Sequence, residues 1–306
     1  MDNKIIIGTR GSKLSLAYAN KVKSLISSSN VDIEEKVTIE SIKTSGDIFQ
    51  NKKISEIGGK NLFCKEIEDK LIKKKIDIAV HSLKDMDSFE TKGLIIQAYI
   101  KRNDPRESFV SKKFNKLLEL KKTKIGSSSR RRELQLKLFN KNITIVNIRG
   151  NVDTRVKKVM NGEYDGAILA LAGLQTLNLE NHVKEVFSEK EFIPTAGQGI
   201  IAVQCREEDE FIKKIIKKIN HKETEMCALA ERNFLKILGG DCDTAVGCIA
   251  TLNKNILEVK AQLFSDDGKK VFNVVKLGSS NQPQLLGKLA GEEILKKSAN
   301  SFKKKR

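Results

Sequence analysis

The chain has 306 residues, with 57 Lys and Arg against 39 Asp and Glu, a net charge of +18, 39% hydrophobic residues and only 5% aromatic ones. That length exceeds one ordinary core and predicts two or three domains. Ample Ile, Leu and Val exclude wholesale disorder, and no apolar run reaches the roughly 18 residues that a membrane helix needs.

The first residues pass straight into an apolar strand at 4–8, with no signal-peptide apolar stretch. The spacing of Leu14, Ala17, Tyr18, Val22, Leu25 and Ile26 predicts a helix over 14–28, and a strand follows at 37–42. An amphipathic helix at 62–75 carries Phe63, Ile67 and Leu71 on one face and leads to strands at 76–82 and 94–100. The polar stretch 101–106, with Asn103, Asp104 and Pro105, reads as a crossing segment. A second set follows: a strand at 124–126, a helix at 131–139, a strand at 143–148, a helix at 152–161, a strand at 166–169, then 171–177. A second crossing near 193–199 leads to a strand at 200–204. From about 218 the chain reads as a smaller α+β domain, with helices at 223–238 and 284–297 and strands near 255–264 and 270–277.

Helices between near-continuous apolar strands imply right-handed βαβ units and mostly parallel sheets. The expected fold class is α/β with three domains. Domain 1 spans 1–99 and 200–217, domain 2 spans 100–199, and domain 3 spans 218–306.

The surplus of charge points to an anionic partner: nucleic acid, an anionic membrane, or a small molecule rich in carboxylates or phosphates. Of the 57 basic residues 46 are Lys, in runs such as 73–75 and 303–305 that read as solvated surface. The 11 Arg are more informative, because a guanidinium suits bidentate recognition of carboxylates.

Four polar clusters each lie just past a predicted strand. They are Thr9, Arg10, Gly11 and Ser12; Lys84 and Asp85; Ser127, Ser128 and Ser129 with Arg130, Arg131 and Arg132; and Arg149, Gly150 and Asn151 with Arg155 one turn further on. In open α/β sheets that edge is where ligands bind. Three arginines in the first turn of a helix oppose its dipole, and a bound anion would reverse the penalty. Successive helix residues diverge by about 100°, so Arg131 and Arg132 are assigned to the ligand and Arg130 to solvent. Asp85, next to Lys84, is either half of a surface ion pair or a functional carboxylate: an acid, or an anion that stabilises a positive intermediate.

Cys64 and Cys227 fall within predicted helices, Cys205 ends a strand and Cys248 reads as part of a further strand, so all four read as buried structural thiols. Cys242 sits instead in a loop after Gly239 and Gly240, where it could be a nucleophile or an attachment point. An odd number of cysteines, five, describes no disulfide framework and fits a reducing cytoplasm. There is no CxxC pair, and His81, His182 and His221 lack metal-ligand spacing, so no metal is expected.

Thr9-Arg10-Gly11-Ser12, Gly58-Gly59-Lys60 with Phe63, and His81-Ser82-Leu83-Lys84-Asp85 resemble the hydroxymethylbilane synthases, or porphobilinogen deaminases. So do Asp104-Pro105-Arg106, Ser128 to Arg132, Arg149-Gly150-Asn151 with Arg155, Gly197-Gln198-Gly199 and the loop holding Cys242, in the same order along almost the whole chain.

The resemblance implies a transferase that condenses four porphobilinogen molecules and hydrolyses the product to hydroxymethylbilane. It implies a dipyrromethane cofactor joined by a thioether to Cys242, and Asp85 assisting loss of the amino group. Arg10, Ser12, Lys60, Lys84, Ser128, Ser129, Arg131, Arg132, Arg149 and Arg155 would hold acetate and propionate arms. Gly150, Gln198 and Gly199 would supply backbone and loop contacts. The family fold has two lobes resembling periplasmic anion-binding proteins and a third domain, and it needs no metal or nucleotide.

Two departures stand out: Thr176 replaces a usual Arg, and Ala245 stands where a Pro is usual. A catalytically dead anion-binding module would explain the arginines but not Asp85 or Cys242. Nucleic-acid binding lacks support, with no Trp, three Tyr and no recognition motif. The expected protein is a cytoplasmic monomer with neither nucleic acid nor membrane as partner, and the polar segment 48–59 is a candidate lid.

Overall fold

Ile5, Ile6 and Ile7 open β1 (Ile5–Arg10), a β-branched run suited to a strand covered on both faces. Ser12 then caps α1 (Lys13–Ser29), its hydroxyl oxygen accepting the Ser15 N–H at 3.2 Å. Tyr18, Ala19, Val22 and Ile26 form the face of α1 that packs on Ile5, Ile7, Ile78 and Val80. Each such aliphatic side chain contributes roughly 1.5–3 kcal/mol when fully buried. β2 (Val37–Ile42) and β3 (Ile78–Ser82) pair with β1 in parallel, with α2 (Ser45–Ile48) and α3 (Lys65–Ile72) between them in the chain.

The structure is a computed structural model and describes residues 4–30, 36–48, 63–119, 123–141, 143–239, 244–299 and 301–302. Lys60, Cys242 and the candidate lid beyond Ile48 lie outside the described residues.

After β4 (Leu94–Tyr99) the chain leaves this sheet. It returns as β10 (Ile201–Arg206), inserted between β3 and β4 and antiparallel to both, for a sheet order of β2-β1-β3-β10-β4. All of β10 is buried. On one side Ile201, Val203 and Cys205 join Ile212, Ile215 and Ile216 of α7 (Glu210–Lys217); on the other, Ala202 joins Cys64, Leu83 and Met86.

The second sheet comprises β5 (Glu107–Val110), β6 (Lys124–Gly126), β7 (Thr144–Val146), β8 (Gly166–Ala170) and β9 (Val183–Val186), in the order β7-β6-β8-β5-β9. Its helices are α4 (Arg130–Phe139), α5 (Val152–Met160) and α6 (Leu171–Thr176). β6 runs parallel to β7 and β8, whereas β5 is antiparallel to β8 and β9. Mostly parallel sheets were expected, but in each sheet half the described pairings are antiparallel. The difference comes from β10, β5 and β9. β5 begins with two polar residues, Glu107 and Ser108, and β9 has only four, so hydropathy marks neither as a strand.

α8 (Lys222–Leu238) leads into an antiparallel meander of β11 (Val246–Asn253), β12 (Ile256–Phe264) and β13 (Val271–Ser279), closed by α9 (Pro283–Ser298). The chain divides into two compact units, Met1–Asn103 with Gly199–Ala228 and Asp104–Gln198 with Leu229–Arg306. The smaller C-terminal sheet-and-helix domain groups with the second unit. Gln135 Nε2 donates to Gln262 Oε1 at 2.9 Å, the Cys248 N–H donates to Pro194 O at 2.8 Å, and Leu134, Ala245 and Phe264 form an apolar cluster. Ala245 therefore fills a packed position although it lacks the rigidity of the family's proline.

Candidate active site

In the first unit the parallel strands β1 and β3 end at one sheet edge, and β10 begins there, Ile201 pairing with Ser82. Thr9 is buried and donates from Oγ1 to Val80 O at 3.2 Å, which ties the two strands just below that edge. Arg10 closes β1, with its guanidinium carbon 4.1 Å from the centre of the Phe63 ring. This cation–π contact sets the guanidinium over the ring.

Ser82 runs directly into a 3₁₀ turn, Leu83–Asp85. The Leu83 N–H donates to Ile200 O at 3.0 Å and the Met86 N–H to Leu83 O at 3.2 Å, so the half-buried Lys84 and Asp85 stand on a turn fastened at both ends. Cys64 Sγ lies 3.8 Å from the Asp85 carbonyl oxygen. Gly199 precedes this start of β10, and its carbonyl accepts the Asn103 N–H at 2.9 Å. Arg10, Ser12, Lys84, Asp85 and Gly199 thus share one edge. Ser12 also caps α1 and donates to Ser15 Oγ at 2.8 Å, so part of its hydrogen-bonding capacity is local.

His81 lies beneath this edge, buried, with Nε2 making no hydrogen bond of good geometry. Burial pushes its pKa down to about 4, against the raising influence of the Glu68 and Asp85 charges, so the ring is neutral at neutral pH.

In the second unit β6, β7 and β8 end at a common edge. Ser129 caps α4 by accepting the Arg132 N–H at 3.4 Å, and Ser128 Oγ donates to Asn147 Oδ1 at 2.7 Å and also contacts Ile148 O. Gly150 has φ +112°, and a Cβ there would come within 2.8 Å of Thr154 Cγ2, so the turn between β7 and α5 accepts glycine alone. That turn is held by Arg155 Nε donating to Gly150 O at 2.8 Å and Lys158 Nζ to Arg149 O at 3.3 Å. Ser128, Ser129, Arg149, Gly150 and Arg155 therefore lie around one edge of this sheet.

The three arginines at the start of α4 have different surroundings. Arg130 is exposed and pairs with Glu133 at 2.9 Å, in line with its assignment to solvent. Arg131 and Arg132, assigned to an external ligand, are only 5% and 7% exposed and pack on Glu107. Arg131 Nη2 donates to Glu107 Oε1 at 2.6 Å, and its Nη1 donates to Ile193 O at 2.9 Å and Gln135 Oε1 at 3.2 Å. Arg132 Nε donates to the same Oε1 at 3.1 Å, Nη2 ion-pairs with Oε2 at 2.8 Å, and Nη1 donates to Ile168 O at 3.1 Å. The chain supplies its own anion at this helix start.

Burial raises the Glu107 carboxyl, but the charges and hydrogen bonds of Arg132 and Arg131 prevail and hold it at about 2. Burial in turn lowers the Arg131 guanidinium, opposed by Glu107.

Gln198 is fully buried and donates from Nε2 to Pro105 O at 2.7 Å, a contact within its own unit. The adjacent Gly197 N–H donates to Glu231 Oε2 at 2.6 Å, and Glu231 Oε1 accepts the Ala250 N–H at 2.7 Å. Neither Glu107 nor Glu231 stands out in the sequence. The one available signal for Glu107 was an acidic residue opening an apolar Phe109-Val110 pair. Thr176 directs its hydroxyl to Ala172 O at 2.7 Å, a bond internal to α6. Among the described residues, no group of three or more His, Cys, Asp or Glu could hold a metal ion.

Guanidinium, ammonium and hydroxyl donors at strand ends suit a ligand with several carboxylates. A dipyrromethane bearing acetate and propionate arms fits this donor set chemically; Cys242, its expected attachment point, lies outside the described residues.

These features define an α/β protein whose strand ends gather guanidinium, ammonium and hydroxyl side chains, with Asp85 beside Lys84 at one of them. Residues 5–214 match the family model "Porphobilinogen deaminase, dipyromethane cofactor binding domain", and residues 225–296 match its "C-terminal domain" model. A porphobilinogen deaminase of Nitrobacter hamburgensis is 36% identical over 97% of this chain and 94% of its own length. Another, of Ehrlichia chaffeensis, is 43% identical over 86% and 88%. The chain belongs to the porphobilinogen deaminase family. Among solved structures, the periplasmic VFT2 domain of Bordetella pertussis BvgS aligns with 70% of this chain and 86% of its own, at 11% identity and a TM-score of 0.43.

Proposed function

We propose that the chain is a transferase that joins four porphobilinogen molecules head to tail, releasing ammonia at each step, and then hydrolyses the product to hydroxymethylbilane, a step of tetrapyrrole and heme biosynthesis. The observation that carries this reading is the match to both family models by the same chain whose strand ends bear the cationic residues. When bound through Cys242, the dipyrromethane supplies the free pyrrole position onto which substrate is added.

The chain's own residues bind and balance charge. Two carboxylates per pyrrole unit give a fully extended product, primer included, about twelve negative charges, and each Arg–carboxylate bond contributes roughly 1.5–3 kcal/mol. Arg10, Ser12, Lys60, Lys84, Ser128, Ser129, Arg131, Arg132, Arg149 and Arg155 hold these arms, with Gly150, Gln198 and Gly199 shaping the turns. Asp85 accepts N–H bonds from the reacting pyrroles and balances the positive charge that develops as ammonia departs. Residues 1–99 with 200–217 and residues 100–199 form the two lobes in this reading, and 218–306 carries Cys242.

The protein acts as a cytoplasmic monomer, with neither nucleic acid nor metal. Among the described residues, Cys64, Cys205, Cys227 and Cys248 are buried and form no disulfide, as a reducing compartment would leave them. Among the described residues no helix is long and apolar enough to cross a membrane.

Intact mass spectrometry tests the proposal directly. The purified protein should carry an adduct of two pyrrole units that is absent from Cys242→Ser. A well-folded, unmodified protein that porphobilinogen cannot reconstitute would overturn it.

A further inference from the structure

Glu107 has no part in the chemistry above, yet it is wholly buried at the ligand-binding edge of the second sheet: its pairing with Ala170 sets it where β8 ends. Its two oxygens meet Arg131 Nη2, Arg132 Nε and Arg132 Nη2 at 2.6, 3.1 and 2.8 Å. Two buried guanidiniums with no counter-charge would be costly, and a carboxylate between them removes most of that cost. The same contact alters what the edge offers a ligand. Two guanidiniums against one carboxylate leave a net charge of +1 in place of +2. The Ile193 and Ile168 carbonyls and Gln135 accept further hydrogen bonds from the two guanidiniums. A site that takes one carboxylate arm after another must orient each arm and still release it, and a full +2 in a buried setting would favour retention.

We propose that Glu107 is a charge-balancing positioning residue, which holds Arg131 and Arg132 in fixed orientation at half their joint charge so that carboxylate arms are bound in register and released as the polymer lengthens. This rests on the reading of Arg131 and Arg132 as carboxylate holders in the proposed reaction.

The test uses the holoenzyme with glutarate as an unreactive dicarboxylate probe, its dissociation constant read by calorimetry alongside steady-state kinetics. Glu107→Gln keeps the shape and removes the charge. The proposal expects glutarate to bind at least about tenfold more tightly, with KM for porphobilinogen and kcat both falling. Adding Arg131→Gln to that variant restores the net charge and should return glutarate affinity to within about threefold of the parent.

A role in folding alone would lower Tm in Glu107→Gln, leave glutarate affinity and KM unchanged, and make the double variant worse; that pattern overturns the proposal. Should Glu107→Gln fail to fold, Arg131→Gln alone, which brings the cluster to zero charge, must weaken glutarate at least about tenfold, and an unchanged constant is equally decisive against the idea. A parent protein that forms no hydroxymethylbilane would instead overturn the reaction itself, while the glutarate measurements would still report on the charge balance.

Discussion

Asp85 stands on a three-residue turn whose main chain is bonded to Ile200 O and to itself, so its carboxylate is presented by a scaffold and not by a loose loop. Asn keeps the size and loses the charge. Asp85→Asn is expected to cut turnover by roughly a hundredfold or more while leaving the covalent adduct in the intact mass. Retained turnover would reduce Asp85 to the surface-pair alternative. Gly150 is constrained differently, by its backbone. With φ +112° and Thr154 Cγ2 2.8 Å from any added Cβ, Gly150→Ala should cost about 1–3 kcal/mol in thermal or urea unfolding. It should also raise KM, since the Gly150 carbonyl accepts the Arg155 Nε–H that orients that guanidinium. Both positions could be singled out from sequence because they follow strands directly. Glu107 could not, because nothing in the residues around it says that two arginines more than twenty positions away will enclose it.

Among the elements, α1 was the most legible: its apolar spacing yields Tyr18, Val22 and Ile26 as the buried face, with a serine cap where one was needed. β5 and β9 were not identified. The first begins with two polar residues that are nonetheless buried, and hydropathy cannot anticipate polar groups satisfied by distant partners. The approach of α8 and α9 is a further tertiary feature. A Cβ on Gly287 would lie 2.1 Å from Ala230 O, so the two backbones touch. Gly287→Ala should force these helices apart and cost at least about 1–3 kcal/mol. The loss should register as a lower Tm with little change in KM; an unchanged Tm would show that the helices can separate freely.

For the whole molecule, two buried titrating groups among the described residues, His81 and Glu107, contribute to the response to acid. His81 folds with its pKa lowered from 6.5 to about 4, so the unfolded chain binds the extra proton and stability is lost as pH falls through that window. The effect is roughly 3 kcal/mol. Glu107, lowered from 4.5 to about 2, contributes stability that is present above 4.5 and lost as pH falls below it. Urea midpoints should therefore fall between pH 6.5 and 4, and His81→Gln should flatten that part of the curve; the same slope in the variant would exclude His81 as its cause.

The excess charge of +18 divides in the same way by setting. Most of it is lysine, the larger part of the 57 basic residues, whereas several of the 11 arginines lie at or just past strand ends. Sequence alone determined the α/β class, the position of Arg10, Asp85 and Arg149 at or just past strand ends, and the family, because these follow from local periodicity and from motifs that are contiguous in the chain. Tertiary structure alone decided that Arg131 and Arg132 already share a carboxylate, that β10 returns between β3 and β4, and that the C-terminal sheet packs with the second unit. Those outcomes depend on burying groups far apart in the chain against one another, and the free energy of such contacts is written in no single stretch of residues.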